Sequence, residues 1–463
     1  MAFSYEVSFW EIRERKGRRK PFEVRWVVNG NGKSESFLKK GLAKGRLSEL
    51  ISAAGKGEPF DEETGLPRSE LRTKLQKVTW YQHTRDFIEK RWDDTPGKSR
   101  KNFADALATI TPALVTSEAG RPDARVLRRA LYSWAYNKQQ QIKEPVPREE
   151  WRQALDWIEK HSVSITELED AQVLRKALDA LGKKLDGKAA AGRTARRKRA
   201  CLSDVLGMAA EAKYFSTAVN PLKSVTWTAP RTAEEVDPEA VANPRQVRRL
   251  LDAVREQSSR GRHLEAFFGC LYFAGMRPAE AIHLKVAQCT LPDEDCWGIL
   301  VLRGGTVRPG RNWTDDGRAH EDRSLKWRAE EDSRPIPIPP ALVRLLRAHI
   351  SEHGVAPDGR LFRTSRGGLV QESGYGEVWA KAREKALAPE EAASPLARRP
   401  YDLRHAGISF WLSSNVDPAE VARRAGHSLN VLFRVYAKVL HQSQERANRR
   451  IDAALEEWGM EAS

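Results

Sequence analysis

The side chains able to do chemistry in this chain sit in three short strings near its C-terminal end. Arg277 lies in "FFGCLYFAGMRPAEAIHL", Arg404 and His405 in "RRPYDLRHAGISFWL", and His427 and Tyr436 in "AGHSLNVLFRVYAKV". A guanidinium stays charged at every working pH, and its fork matches two oxygens of a phosphate or carboxylate. A phenol, with a reference pKa of about 10, is a weak nucleophile that attacks well only where the charge of its target is neutralised. Gathered in one place these groups suit displacement at a phosphate; apart, each has a plainer reading.

The local elements leave both readings open. Phe267, Phe268, Leu271 and Tyr272 mark a buried helix that Gly275 can stop, and Pro278 starts the next one, so Arg277 falls at a helix N-terminus. A cation at that positive end calls for a nearby anion, or for pairing with Glu280. Asp417, Pro418 and Glu420 form an N-cap, a first-turn proline and a capping acid, and Gly426 ends that short helix so that His427 falls on a turn. On the helix after it, Tyr436 shares a stripe with Leu432 and Leu440, and periodicity alone makes it core.

The rest of the chain must hold these strings. Its 463 residues suggest roughly three domains. Lys and Arg number 79 against 63 Asp and Glu, a formal charge of +16 that favours a polyanionic partner, nucleic acid first. Cys201, Cys270, Cys289 and Cys296 are scattered singly, which fits a reducing cytosol. The opening residues lack a signal-peptide pattern and no apolar run reaches the ~18 residues of a membrane span, so a cytoplasmic protein is expected.

Residues 1–66 read as a β-rich unit: "YEVSF", "FEVRWVV" and "SESF" run between "RKGRRK" and "NGNGK" turns, ahead of a helical "KKGLAKGRLSELISAA". The first 50 residues hold 12 Lys/Arg and 6 Asp/Glu, so a basic sheet edge for a DNA groove and a solvated surface are equal readings. "GEPFDEETGLP" reads as a linker. Residues 76–230 are helical in pattern, with a basic run, "GRTARRKRA", that either meets phosphates or faces solvent. "VTWTAPRTAEEVDPEAVANP" reads as a connector, after which Asn243 and Pro244 open a mixed domain covering 240–463. In it "CWGILVLRGG" and "RPIPIPP" flank a long polar excursion as a hairpin or small sheet, with Lys326 just before the returning strand, where a lysine is usually a solvated edge residue. The acidic clusters at 293–295 and 330–332 read as solvated loops. The final helix sets Ile451, Leu455 and Trp458 on one side, to pack on its own domain or on another subunit.

Taken in order and at these separations, "AGMRPAEAIHL", a hairpin lysine, "RPYDLRHAGISFWL", "AGHS" and "FRVYAKV" resemble the catalytic domain of the tyrosine recombinases, the phage-integrase family. The likeness is nearest to integrases of actinobacterial phages and integrative plasmids and is strongest over residues 240–440. It implies a multidomain fold: a small β-rich arm-site domain (1–66), an all-α core-site domain (76–230) and a mixed, mainly α catalytic domain with a small sheet (240–463). By resemblance Arg277 and Arg404 are the catalytic arginines, Lys326 the hairpin lysine, His427 the late histidine and Tyr436 the nucleophile. Tyr401 stands where many relatives carry histidine, which puts that position's proton-acceptor role in doubt, and His405 is expected to pack or support.

The resemblance implies cleavage and rejoining of double-stranded DNA at attachment sites through a 3′-phosphotyrosyl bond, by a homotetramer assisted by a directionality factor and a host DNA-bending protein. The chemistry agrees with that. Two guanidinium forks bind the nonbridging oxygens, the phenol attacks in line, and Lys326 protonates the departing 5′-oxygen, with neither metal nor cofactor required. A type IB topoisomerase uses the same chemistry on one duplex, and a DNA-binding regulator with a decayed site is the alternative of another class.

Overall fold

The computed structural model describes residues 2–71, 77–228, 235–293, 295–325, 332–441 and 444–458. They divide into two units: residues 1–232 together with 310–317, and residues 233–309 together with 318–463.

The first unit opens with an antiparallel sheet built on Phe22–Val28. Val7–Phe9 and Arg13–Glu14 pair along one edge of that strand and Asn31–Phe37 along the other. Asn29 (φ 44°) and Gly30 (φ 78°) make the two-residue turn between the long strands, the conformation a tight hairpin needs. Helix Lys40–Gly55 buries Ala43 and Leu50, which join Val24, Trp26 and Val28 in a small core. The "GEPFDEETGLP" string is part of this unit and not a linker: Phe60–Asp61 pairs with Phe3–Ser4, Phe60 is wholly buried, and Trp26 Nε1 donates to Gly65 O at 2.7 Å. Its acid, Gly and Pro content describes the turn that follows, and the one apolar anchor outweighs it.

A second core in the same unit is all helical, with Trp80, Phe87, Trp92, Leu107, Leu131 and Tyr136 inside. Thr79 and Gln82 close a capping box on the helix Trp80–Arg91. The basic run lies on helix Gly192–Glu211 and is partly committed internally. Lys198 is buried, donates to Thr109 Oγ1 at 2.7 Å and lies 3.3 Å from Asp105, which Arg128 and Arg197 also reach.

Residues 310–317, read in the sequence as part of a polar excursion, enter this helical core. Trp313 is buried, stacks on Trp92 with centroids 6.2 Å apart, and touches Tyr132 at 5.2 Å. Arg100, itself buried, grips Asp315 with two hydrogen bonds of 2.6 and 2.9 Å and donates to Trp313 O. A single tryptophan among charged residues has no periodicity to betray it.

The second unit holds the small sheet expected from the sequence. Gly298–Leu302 pairs antiparallel with Arg334–Ile338 and, on its other side, with Cys289–Thr290, while Gly304–Val307 and Glu321–Ser324 form a further hairpin. Around it stand helices Pro244–Arg255, Ser259–Phe273, Pro340–His353, Glu372–Ala386 and Asp402–Ser413. Asn243 caps the first of these through Gln246 N, as its position before Pro244 requires. The close approach of Asp402–Ser413 to Ser259–Phe273 depends on Gly407, whose missing Cβ would run into the carbonyl of Tyr272. On the last helix, Gln444–Glu457, Ile451 and Leu455 are exposed, as is Trp458 just beyond it, so this face does not pack on its own unit. No helix among the described residues is long and apolar enough to cross a membrane.

Removing the tryptophan tests the role of the excursion. Trp313→Ala should destabilise the first unit by about 3–5 kcal/mol, the cost of emptying a large buried aromatic site. Urea unfolding read by hydrogen exchange in helix Gly97–Ile110 would measure it, and a loss below about 1 kcal/mol would show that the segment only rests on the surface.

Candidate active site

The strings singled out by residue type come together in the second unit. Gly275, with φ at 58°, ends the helix Ser259–Phe273, and Arg277 then precedes helix Pro278–His283. Both sequence readings of Arg277 bear on what it does. Its Nη1 donates to Glu280 Oε1 and its backbone N–H to Glu280 Oε2, each at 2.8 Å, while Nη2 donates to Gly426 O at 3.1 Å. The Glu280 carboxylate is buried and takes a second guanidinium, Arg334 Nη2, at 2.8 Å. Burial alone would raise the Glu280 pKa, but Arg334, Arg277 and Arg404 hold it down at about 2.

Arg404, on the first turn of Asp402–Ser413, is fully buried. Asp402 fixes that helix start by accepting from Arg399 N at 2.8 Å and Arg399 Nη2 at 2.9 Å. Arg404 Nη1 donates to Gly275 O, and Nη2 donates to Ala425 O at 2.6 Å and to His427 Nε2 at 2.8 Å. A guanidinium can only donate, so His427 Nε2 accepts and its proton sits on Nδ1. That Nδ1 is buried and has no hydrogen-bond partner among the described residues. Burial, with Arg404 and Arg277 close by, lowers the His427 pKa to about 3, so the imidazole is neutral at physiological pH.

Gly426 closes the short helix Pro418–Ala425 in the left-handed region (φ 63°), as its sequence position suggested. A second constraint falls on the same residue, because a Cβ there would strike the Arg334 guanidinium. Asp417 caps this helix at Ala419 N and Glu420 N, whereas the Glu420 side chain pairs with Arg423 and Arg424.

Tyr436 is both core and candidate reagent. It is wholly buried with Leu432, Val421, Ile408 and Leu412, as its stripe required. Its hydroxyl nonetheless lies 2.9 Å from His405 Nδ1, and its ring is 6.3 Å from that of His427. Within helix Leu429–His441 its backbone is non-helical (φ −112°, ψ 19°), near the bridge region where many active-site residues sit. Burial pushes the phenol well above its ordinary pKa, Arg404 and Arg277 pull it down, and Tyr401 adds to the rise.

Sequence reasoning gave His405 a packing or supporting role, and the structure sets it against the candidate nucleophile, making the edge contact to Tyr401 at 5.1 Å as well. Its place one residue after Arg404 was a usable signal, since consecutive helical residues can flank one pocket. Arg334 was missed altogether, although strand alternation in "SRPIPIPP" puts it on the same face as Ile336 and Ile338, the face the structure buries. Lys326 lies outside the described residues. The acid clusters behave as loops where described, with Asp293 and Asp295 exposed and paired with Arg347 and Arg344.

No family model matches the sequence, and neither does any curated protein. Similar solved structures include a fragment of the Tn1549 transposon integrase in complex with a circular intermediate DNA, 15% identical, with a TM-score of 0.46 over 69% of this chain and 99% of that one. Another is the XerH site-specific recombinase bound to its difH substrate, 15% identical, TM-score 0.41, covering 76% of this chain and 95% of that one. A lambda integrase fragment bound to DNA is 10% identical, TM-score 0.37, over 66% and 92%.

The neutral, buried His427 has a pH signature. Between pH 6.5 and about 3 the unfolded chain binds a proton at this position and the folded chain does not, so stability falls as the pH is lowered through that window. His427→Gln should flatten the slope of melting temperature against pH there, and unchanged slopes in the two proteins would assign the acid sensitivity elsewhere.

Proposed function

We propose that this chain is a site-specific tyrosine recombinase of the integrase type, which cuts and rejoins duplex DNA at attachment sites with Tyr436 as nucleophile. The observation that carries the reading is the 2.9 Å contact of the Tyr436 hydroxyl with His405 Nδ1, in a pocket that also holds Arg277, Arg404 and His427. Two buried or half-buried guanidiniums supply the charge that a phosphodiester gathers in its transition state, and they do so in a low-dielectric site.

Attack by the Tyr436 oxygen on phosphorus forms the phosphotyrosyl bond and breaks the bond to the 5′-oxygen. The phenol proton passes to His405 Nδ1, and Lys326 gives a proton to the departing oxygen. The Nδ1–H of His427 donates to a nonbridging oxygen. The 3′-phosphotyrosyl bond keeps the backbone energy, and the reverse attack by a 5′-hydroxyl of the partner duplex uses it, with no nucleotide hydrolysed. Tyr401 takes no proton in this scheme; it orients His405 through the ring contact.

In the same proposal residues 1–66 bind arm-type sites, 76–230 clamp the core site, and 240–463 catalyse. The surplus of Lys and Arg supports phosphate contacts, whose affinity falls steeply with salt. The exposed Ile451, Leu455 and Trp458 support docking of the last helix on a second copy within a tetramer on DNA. Integration and excision of a mobile element, of the kind carried by actinobacterial phages and integrative plasmids, in the cytoplasm, complete the reading, with a directionality factor and a host bending protein as partners.

Nicked attachment-site DNA should trap a covalent adduct on the full chain, and Tyr436→Phe should form none; an adduct on the Phe variant would remove Tyr436 from its role. His405→Ala should slow cleavage by about 10²–10⁴-fold, the usual worth of a positioned base. A rate within about threefold of the parent would return His405 to packing. Exchange between two duplexes, scored beside relaxation of supercoils, separates a recombinase from a topoisomerase.

A further inference from the structure

Away from Tyr436, three histidines of the second unit face one another. His263 lies on helix Ser259–Phe273, and His349 and His353, four positions apart and so on one face, lie on helix Pro340–His353. Their ring centroids are 4.8, 5.0 and 5.1 Å apart, and one ligand nitrogen from each lies within 4.8 Å of the others. We propose that His263, His349 and His353 bind a divalent ion of the zinc class, with three imidazole nitrogens as ligands and a fourth position open to water.

The protonation of His349 points to a cation. Its Nε2 is 2.9 Å from Leu361 O, and a carbonyl only accepts, so Nε2 carries the proton and Nδ1 is a bare lone pair. His349 is 4% exposed, and that Nδ1 has no hydrogen-bond partner among the described residues. Native interiors seldom leave such an atom unmet. A ligating histidine whose far N–H is held by a backbone carbonyl is also the usual way metal ligands are oriented.

The lone pair of His263 Nε2 is already engaged, accepting the Arg363 amide N–H at 3.0 Å, so an ion there must displace that hydrogen bond. On taking an ion that lone pair moves from the amide to the metal, and no proton has to leave. His353 is partly exposed and stands 3.8 Å from Glu352, which brings a negative charge to the edge of the cluster. With His263, Arg363 and Tyr375 it borders a cavity of about 680 Å³, an entry path with room for the fourth ligand. Tetrahedral zinc–nitrogen bonds of about 2.0–2.1 Å place the nitrogens roughly 3.4 Å apart, so side-chain rotation closes the set.

All-nitrogen donors select zinc, cobalt, nickel or copper over magnesium and calcium. Aromatic filler against Phe362, 4.9 Å from His349, is the plainer reading, and a phenylalanine would serve it without stranding a polar atom. Arg363 opposes the ion by charge, and its hydrogen bond from Nη2 to His353 O at 2.7 Å fixes its place without removing that charge. The ion would clamp the two helices together, and the first of them runs into the turn whose Gly275 carbonyl holds Arg404.

The test uses the untagged full-length chain, stripped with chelator and titrated with Co²⁺ and Zn²⁺. One equivalent should bind, Co²⁺ should show the visible bands of four-coordination, and either ion should raise the melting temperature. His263→Gln and His353→Gln should each weaken binding on the order of 100-fold. His353→Gln, at the cavity edge, should also melt like the metal-free parent, which separates a lost ligand from a lost fold. No binding at micromolar ion, or binding unchanged in both variants, overturns the proposal.

Discussion

The buried carboxylate of Glu280 is the constraint on which the candidate site depends. It answers to two guanidiniums directly, Arg277 and Arg334, and feels a third, Arg404. Removing one partner from a buried ion pair costs about 3–5 kcal/mol, more than most single contacts can offset, so these side chains stand or fall together. Three guanidiniums meet one carboxylate while the adjacent histidine stays neutral, which leaves the pocket electropositive before any ligand arrives. A pocket with this excess of positive charge favours an anion, and in the proposed reading a phosphate relieves the crowding of like charges that folding imposes.

The same economy bears on Tyr436, a core residue and the proposed nucleophile. A nucleophile on a flexible tether would lose the benefit of orientation, and one locked in a regular helix could not be aimed independently of its neighbours. Tyr436 sits in a small core with Leu432 and Ile408 and departs from helical geometry at its own residue. The core fixes the ring, the local break sets its direction, and His405 holds the hydroxyl.

Much of this was legible in the sequence wherever a residue type carried a positional rule. Gly275, Pro278, Asp417 and Gly426 announced helix ends, and the ends in turn placed Arg277 and His427. The paired strings "CWGILVLRGG" and "RPIPIPP" announced the sheet. What stayed hidden was long-range and polar. Arg334 alternates in phase with the buried Ile336 and Ile338, but nothing local tells that Glu280, 54 residues earlier, will meet it there. His405, directly after Arg404, was placed beside the pocket by its position, but that position did not tell that it would meet Tyr436, 31 residues later. Phe60 and Trp313 were lost among charged and turn-forming residues, since one apolar side chain has no period.

The segment Gly310–Gly317 makes the chain cross between the two units at three places, 232/233, 309/310 and 317/318. A protein joined at one point can trade either half with a relative by a single exchange of gene segments. This one cannot. A first unit inherited without those eight residues would lack Trp313 and the Asp315 partner of Arg100, leaving a hole in its core and a buried guanidinium without its carboxylate. The two units are therefore bound to evolve as a matched set, and a chimera that respects only the obvious junction near residue 232 must bring the short inserted tongue along with it.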